Sequence, residues 1–215
     1  MTISIHDELY IDVDHIFGQG WGVTDADLDR YAKKIGEAAE AVERIRTTGR
    51  GPDRSSVLFP HLPYLLEEDL LISKEEKEKL LSLGEKAKDY DILISIGVGG
   101  SYLGNQTLFD IFCGPYWNEM TKEERGGYPK VYFAGQNVDP VSLSELADCI
   151  HREGKRADRR LHVLLLVISK SGTTIEPVSA VRGLVQLLGG ECDLHAMAVT
   201  DKEKEIGRAS CRERV

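Results

Sequence analysis

No stretch of this chain stays apolar for the roughly 18 residues a membrane-spanning helix needs. The longest apolar runs, such as Val163 to Ile168, have strand length. The start, Met1-Thr-Ile-Ser-Ile-His-Asp-Glu, shows no basic region followed by an apolar one, so no secretory signal is legible. Cysteines are few, and Cys113, Cys149, Cys192 and Cys211 form no C-x-x-C pair. That spacing argues against a disulfide framework or a zinc site. Basic charge is in deficit, with 27 Lys and Arg against 36 Asp and Glu and a net charge of −9. An acidic excess argues against nucleic acid and anionic membrane as the main partner. It leaves a small anionic ligand open, because a pocket's local field can differ in sign from the whole surface. Internal repeats and low-complexity stretches are also lacking. What is present is ordinary for a soluble globular protein: 41% hydrophobic and 29% charged residues in a chain of 215. That length suits one large domain, or one domain with an appendage. A cytoplasmic location is the expectation.

The end of the chain reads differently from the rest. Glu205-Ile-Gly-Arg-Ala-Ser-Cys-Arg-Glu-Arg-Val215 has no apolar period and several closely spaced charges. It equals, residue for residue, the translation of a common sequencing-adapter string. Residues 205–215 are therefore expected to be a non-native tail and are left out of the fold reasoning. The tail holds three Arg and two Glu, so the remainder carries about −10.

Residues 1–23 show no firm period. Thr24-Asp-Ala-Asp27 then reads as a helix start, and Leu28, Tyr31, Ile35, Ala38, Val42 and Ile45 follow on one helical face. Gly49 to Ser55 is a polar loop, and Leu58 to Leu71, broken by Pro60 and Pro63, is a packed connector. Ser73-Lys-Glu-Glu76 repeats the capping pattern and starts a second helix with Leu80, Leu81, Leu83 and Ala87. At Asp89 the pattern changes. Asp91 to Ile96, Lys130 to Phe133, His162 to Ile168 and Leu194 to Val199 are short, almost continuous apolar runs, as strands buried on both faces are. Helix-length segments lie between them: Ser101 to Phe112, Val141 to His151 and Thr174 to Leu188. Glu123 to Gly127 and Arg152 to Arg160 read as charged, exposed connections. Strands alternating with helices predict an α/β fold with a parallel sheet and right-handed crossovers.

Two strand-to-helix loops carry the chemistry. In such sheets, ligands sit at the carboxyl ends of the strands. The first loop is Gly97-Val-Gly-Gly-Ser-Tyr-Leu-Gly104. It fails the dinucleotide fingerprint, because Tyr102 stands where the third glycine belongs, and it fails the P-loop, because Asn105 replaces the lysine. Its glycines still let backbone approach a ligand, and Gly100 and Ser101 open a helix whose free N–H groups favour an anion. The second loop, Ser169-Lys-Ser-Gly-Thr-Thr-Ile-Glu-Pro177, offers four hydroxyls, one ammonium and one glycine within six residues. These donors match a dianionic phosphate. Each hydrogen bond to a charged group is worth roughly 1.5–3 kcal/mol, and the helix end adds roughly 0.3–1 kcal/mol.

The two loops in this order, with Phe133-Ala-Gly-Gln-Asn-Val-Asp139 between them, resemble glucose-6-phosphate isomerase of the bacterial kind, over about Ser73 to Asp201. The resemblance implies a sugar-isomerase (SIS) domain: a doubly wound, five-stranded parallel sheet flanked by helices. It implies N-terminal helices over 1–72, a first sugar-isomerase domain over 73–204, and a second such domain that this chain does not contain. Carried over residue by residue, the substrate phosphate would be held by Gly100 and Ser101 and by Ser169, Lys170, Ser171 and Thr174, with Gly172 and Thr173 shaping the loop. Ser171 stands where other members carry Thr, and both supply a hydroxyl.

The family interconverts glucose 6-phosphate and fructose 6-phosphate through a cis-enediol, in glycolysis and gluconeogenesis. The resemblance implies no cofactor and no metal, a hexose 6-phosphate substrate and a homodimer. The family's base glutamate, its ring-opening histidine and lysine, and a supporting arginine come from later in the chain, the histidine from a partner subunit. None of those motifs appears before Lys204, so the chain is expected to have no isomerase activity. Glu176 is read as complementing a helix dipole, and His162 and His195 as core histidines. Two rivals share the fold. A sugar-phosphate-sensing domain of a transcription regulator usually lacks the lysine of the second loop and follows a helix-turn-helix. An aminosugar synthase requires an N-terminal amidotransferase with a nucleophilic Cys.

Overall fold

A computed structural model describes residues 2–6, 9–18, 20–57, 59 and 73–200. The connector read at Leu58 to Leu71, apart from Phe59, and the tail read at 205–215 lie outside the described residues. The chain divides into two compact units, Met1–Ser73 and Lys74–Val215.

In the first unit, β1 (Thr2–His6) pairs antiparallel with β2 (Leu9–Asp12). This hairpin falls in the segment read as having no firm period; the polar–apolar alternation of Thr2-Ile-Ser-Ile-His6 is the signal that could have shown its first strand. Helix α1 spans Asp25–Thr48 and starts where the sequence implies. The Thr24 hydroxyl accepts the Asp27 N–H, and the Asp27 carboxylate accepts the Thr24 N–H at 3.0 Å. Gly49 stops the helix in the left-handed conformation, with φ 64°. The apolar stripe of α1 stays open: Leu28, Tyr31, Ile35 and Val42 are 40% to 64% exposed.

The second unit begins with α2 (Lys74–Lys86), which follows Ser73 directly. The side chain of Glu76, the far half of that capping pattern, lies outside the described residues. Then strand and helix alternate: β3 (Ile92–Ile96), α3 (Gly100–Phe112), β4 (Lys130–Ala134), α4 (Pro140–Ala157), β5 (Leu161–Ile168), α5 (Ile175–Leu188) and β6 (Cys192–Val199). All four strands run parallel in the order β4-β3-β5-β6. Each of the four apolar runs becomes one strand. The described residues hold four strands in this sheet, against the five that the resemblance implies.

The core explains why these runs are apolar throughout. Ile92, Ile94 and Ile96 of β3 and Val163, Leu165 and Val167 of β5 turn one face toward Ala147 and Ile150 of α4 and Ala180, Leu184 and Leu188 of α5. Burying one such side chain fully is worth about 1.5–3 kcal/mol. Against the other face, Phe133 meets the rings of Tyr102 and Phe109 from α3 edge-on. Helices thus cover both faces.

The two connections read as charged and exposed are largely so, with two departures. Arg152 to Ala157 continue α4, because Arg, Glu and Lys propagate a helix well; Asp158, with φ 50°, ends it. Arg125 is buried and donates to the carbonyls of Met120 and Tyr128, closing the loop before β4 upon itself.

The amino ends of three strands meet at Asp91. Its carboxylate takes two bonds from Arg159, at 2.7 and 2.8 Å, and one from the His162 N–H at 2.9 Å. Its own N–H donates to His162 O, and its carbonyl accepts the Lys130 N–H. Burial pushes the Asp91 carboxyl up, but Arg159, the His162 amide and Lys122 together outweigh burial and hold it below the ordinary carboxylate range. Its stabilisation is therefore complete above the unfolded value of about 4 and lost as pH falls through the lower folded value. Asp91→Ala is expected to cost about 2 kcal/mol at pH 7. The gap between variant and parent in urea unfolding should shrink as pH drops below about 4. A gap that stays constant down to about pH 3 would refute the clasp.

Candidate functional site

The strand order fixes where a ligand can sit. From β3 the chain passes through α3 to β4 on one side. From β5 it passes through α5 to β6 on the other. Beyond the carboxyl ends of β3 and β5, adjacent strands with Ile96 opposite Val167, the two connections diverge and leave a crevice. Such a switch point is where open parallel sheets bind ligands. The first loop leaves β3 there, and the second leaves β5. The sequence places both loops at strand ends, but only the strand order makes them neighbours.

The first loop is a tight turn. Gly99 has φ 57° and ψ −126°, and the Ser101 N–H bonds to Val98 O at 3.2 Å. That geometry is the first central position of a type II′ turn, which favours glycine. Gly97 serves a second purpose: a Cβ there would lie 2.5 Å from the carbonyl oxygen of Ser101. The helix folds back onto the strand end only because Gly97 has no side chain. Gly100 is exposed and opens α3. Ser101 is half-buried; its carbonyl accepts the Asn105 amide at 3.3 Å.

The second loop is a hydroxyl cluster. Ser169 is buried; its hydroxyl accepts the Gly172 N–H at 3.1 Å and donates to Thr174 Oγ1 at 3.3 Å. Ser171 Oγ lies 3.1 Å from Thr174 Oγ1 and accepts the Thr173 N–H and hydroxyl, each at 3.2 Å. The hydroxyl–hydroxyl contacts are long against the usual distance of about 2.7–2.8 Å, so these rotors can turn to a better acceptor at small cost. Gly172 makes the bend, with φ 66°. Lys170 and Thr173 are exposed. Thr174 precedes α5 without capping it by its side chain. The first N–H groups of any helix lack intrahelical partners, and here they follow the hydroxyl cluster directly. Pro177 is fully buried in the first turn, where its missing N–H costs nothing. Glu176 occupies the same turn and suits the dipole.

The structure thus groups Ser169, Ser171, Gly172, Thr173 and Thr174 directly, and sets Gly100 and Ser101 on the neighbouring strand end. It also brings in Gly135, which the sequence singles out only within a resembling segment. Gly135 follows β4, has φ 80°, and leans against both other strand exits.

The two histidines are not core residues. His162 and His195 are exposed. His162 Nε2 stands 3.9 Å from Asp193 Oδ2, and the His195 ring meets Tyr90 edge-on at 5.4 Å. Both lie on β5 and β6 near the sheet edge. There alternate side chains face away from α4 and α5, and an apolar run in sequence does not reveal that opening. A groove of about 900 Å³ runs along β6, lined by Val178, Val185, Leu194 and Met197 among others; no residue of 97–101 or 169–174 lines it. Among the described residues, no group of three or more His, Cys, Asp or Glu could hold a metal ion. No described helix is long and apolar enough to cross a membrane.

No protein-family model matches the chain. It is 41% identical over 155 residues to the glucose-6-phosphate isomerase of Alkaliphilus metalliredigens, covering 72% of this chain and 31% of the relative. It is 32% identical over 184 residues to that of Streptococcus thermophilus, covering 83% of this chain and 37% of the relative. The chain therefore spans about a third of the length of the curated relatives it matches, and along most of its own length it is similar to bacterial glucose-6-phosphate isomerases. Among solved structures, a hypothetical protein from Thermus thermophilus matches with a TM-score of 0.50 and 22% identity, over 87% of this chain and 38% of that one. This last likeness speaks for the fold.

Proposed function

We propose that this chain is part of a glucose-6-phosphate isomerase, and that it holds the phosphate group of glucose 6-phosphate and fructose 6-phosphate while the aldose and ketose are interconverted through a cis-enediol. In this reading residues 73–204 are a sugar-isomerase domain and 1–72 its N-terminal segment. The protein is a cytoplasmic homodimer acting in glycolysis and gluconeogenesis. The observation that carries the reading is the pair of loops at the switch point, one a glycine turn opening a helix and the other a cluster of redirectable hydroxyls beside Lys170.

The chemistry divides cleanly. A phosphate is an inert handle in this reaction, so it needs charge-matched donors and no proton transfer. Ser101, Ser171, Thr173 and Thr174 supply hydroxyls, Gly100 a helix-opening N–H, and Lys170 a point charge. Buried Ser169 holds Thr174 and the Gly172 turn, so it acts by positioning. The proton shuttle between C1 and C2 needs a base beside the sugar carbons. Glu176, in the first turn of α5, is assigned to the helix dipole and not to this role. The chain alone is therefore expected to bind without turnover.

Titration of the chain with glucose 6-phosphate, followed by amide NMR, tests this. Saturable shifts at Ser101 and at residues 169–174 are expected, with a Kd of about 1 mM and similar shifts from inorganic phosphate. A coupled assay should show no isomerisation. Shifts confined to other residues would refute the site. Turnover above background would refute the division of labour.

A further inference from the structure

We infer that Gly135 is a positioning residue that sets the spacing between the two phosphate loops; its effect on binding rests on the proposed phosphate site. Gly135 follows β4, and neither loop contains it. A Cβ built on it would lie 2.8 Å from Ile96 Cγ2, 3.4 Å from Pro177 Cα and 3.5 Å from Gly97 N. These atoms belong to the end of β3, the first turn of α5 and the start of the first loop. A methyl on this one α-carbon would therefore touch both halves of the site. The neighbouring peptide is tied in as well, because the Gly97 N–H donates to Ala134 O at 3.2 Å.

The neighbour that must give, Ile96 Cγ2 at 2.8 Å, cannot yield cheaply, and the other two leave no slack around it. Ile96 and Pro177 are fully buried. Ile96 Cγ2 is a branch methyl held close to the backbone, and the other two atoms are backbone themselves. Close-packed interiors transmit such a displacement instead of absorbing it. A methyl at Gly135 would meet Pro177 and Gly97 at ordinary contact distance, so the displacement falls on Ile96, and through it on Gly97 and the start of the first loop, which moves relative to the second. Glycine is needed here for closeness as well as for its φ of 80°.

Gly114 separates the two reasons. It also has positive φ, 73°, but an added Cβ would meet nothing within 4 Å. Gly114→Ala carries the backbone strain without the wedge. Gly135→Ala is expected to move the amide resonances of Gly97, Ser101 and residues 172–176 in the ligand-free chain. It should weaken glucose 6-phosphate binding by at least about tenfold. Gly114→Ala should leave both unchanged. The double variant Ile96→Ala/Gly135→Ala removes the methyl that the new Cβ strikes, and should recover most of the affinity; it also carries the test if the single variant does not fold. Gly135→Ala with parental loop resonances would overturn the inference, as would a folded double variant no better than the single one, or equal losses in Gly114→Ala. A parent chain that binds no glucose 6-phosphate would refute the proposed site instead, and the ligand-free resonances would still decide whether Gly135 couples the loops.

Discussion

Gly97→Ala is expected to disrupt the first loop and to destabilise the sheet unit by about 3 kcal/mol, the upper part of the range for overpacking. The added methyl would stand 2.5 Å from the Ser101 carbonyl oxygen, with the Ser101 carbonyl carbon at 3.0 Å and its Cβ at 3.2 Å. All three belong to the turn that opens α3, so relief requires the helix start to move off the strand. Ile96, the residue before, is fully buried, so the strand cannot move instead. A loss of this size should lower the melting temperature by roughly 10 °C in a domain of this length. Gly99→Ala makes the comparison, since a Cβ there meets nothing within 4 Å and only the turn conformation is strained. That should cost about 1–2 kcal/mol. Phosphate binding should vanish in the first variant and weaken in the second. Equal melting temperatures for Gly97→Ala and the parent would show that the turn relaxes freely.

Lys170→Ala is expected to weaken glucose 6-phosphate binding by about 10- to 100-fold, the worth of roughly one hydrogen bond to a charged group. Its melting temperature should stay within about 1 °C, because exposed side chains away from special features contribute little; Lys170 is exposed. Both partners would be charged, so the difference should narrow with salt as screening shortens to about 3 Å at roughly 1 M. Lys170→Arg should retain most of the affinity if charge alone matters. Isothermal titration at two salt concentrations reads all of this. Unchanged affinity in Lys170→Ala would remove the ammonium from the site and leave a hydroxyl cradle.

These two positions show how unevenly the site was legible. Lys170 and the hydroxyls around it are visible by residue type, since four hydroxyls and a lysine after an apolar strand have few structural uses. Gly97 is visible as a glycine, but the distance to Ser101 that makes it indispensable is a property of the folded turn. Gly135 is harder still. Its three neighbours lie about 40 residues away on either side, and no local pattern records them. Asp91 reads as the polar start of a strand, whereas its partners Arg159 and His162 are 68 and 71 residues distant.

By itself the sequence determined the local structure and its chemistry. Continuous apolar runs, a 3.6-residue period and a capping box at Thr24 act within a few residues, so they can be read there. It also determined which groups could bind a phosphate. Only the tertiary structure decided the order β4-β3-β5-β6, and with it the switch point that makes two loops 72 residues apart into neighbours. It likewise decided that His162 and His195 face outward and that Gly135 lies where an added methyl would meet both loops. Those outcomes depend on which strand lies beside which and on what covers each face, and contacts between distant segments leave no periodic trace in the chain.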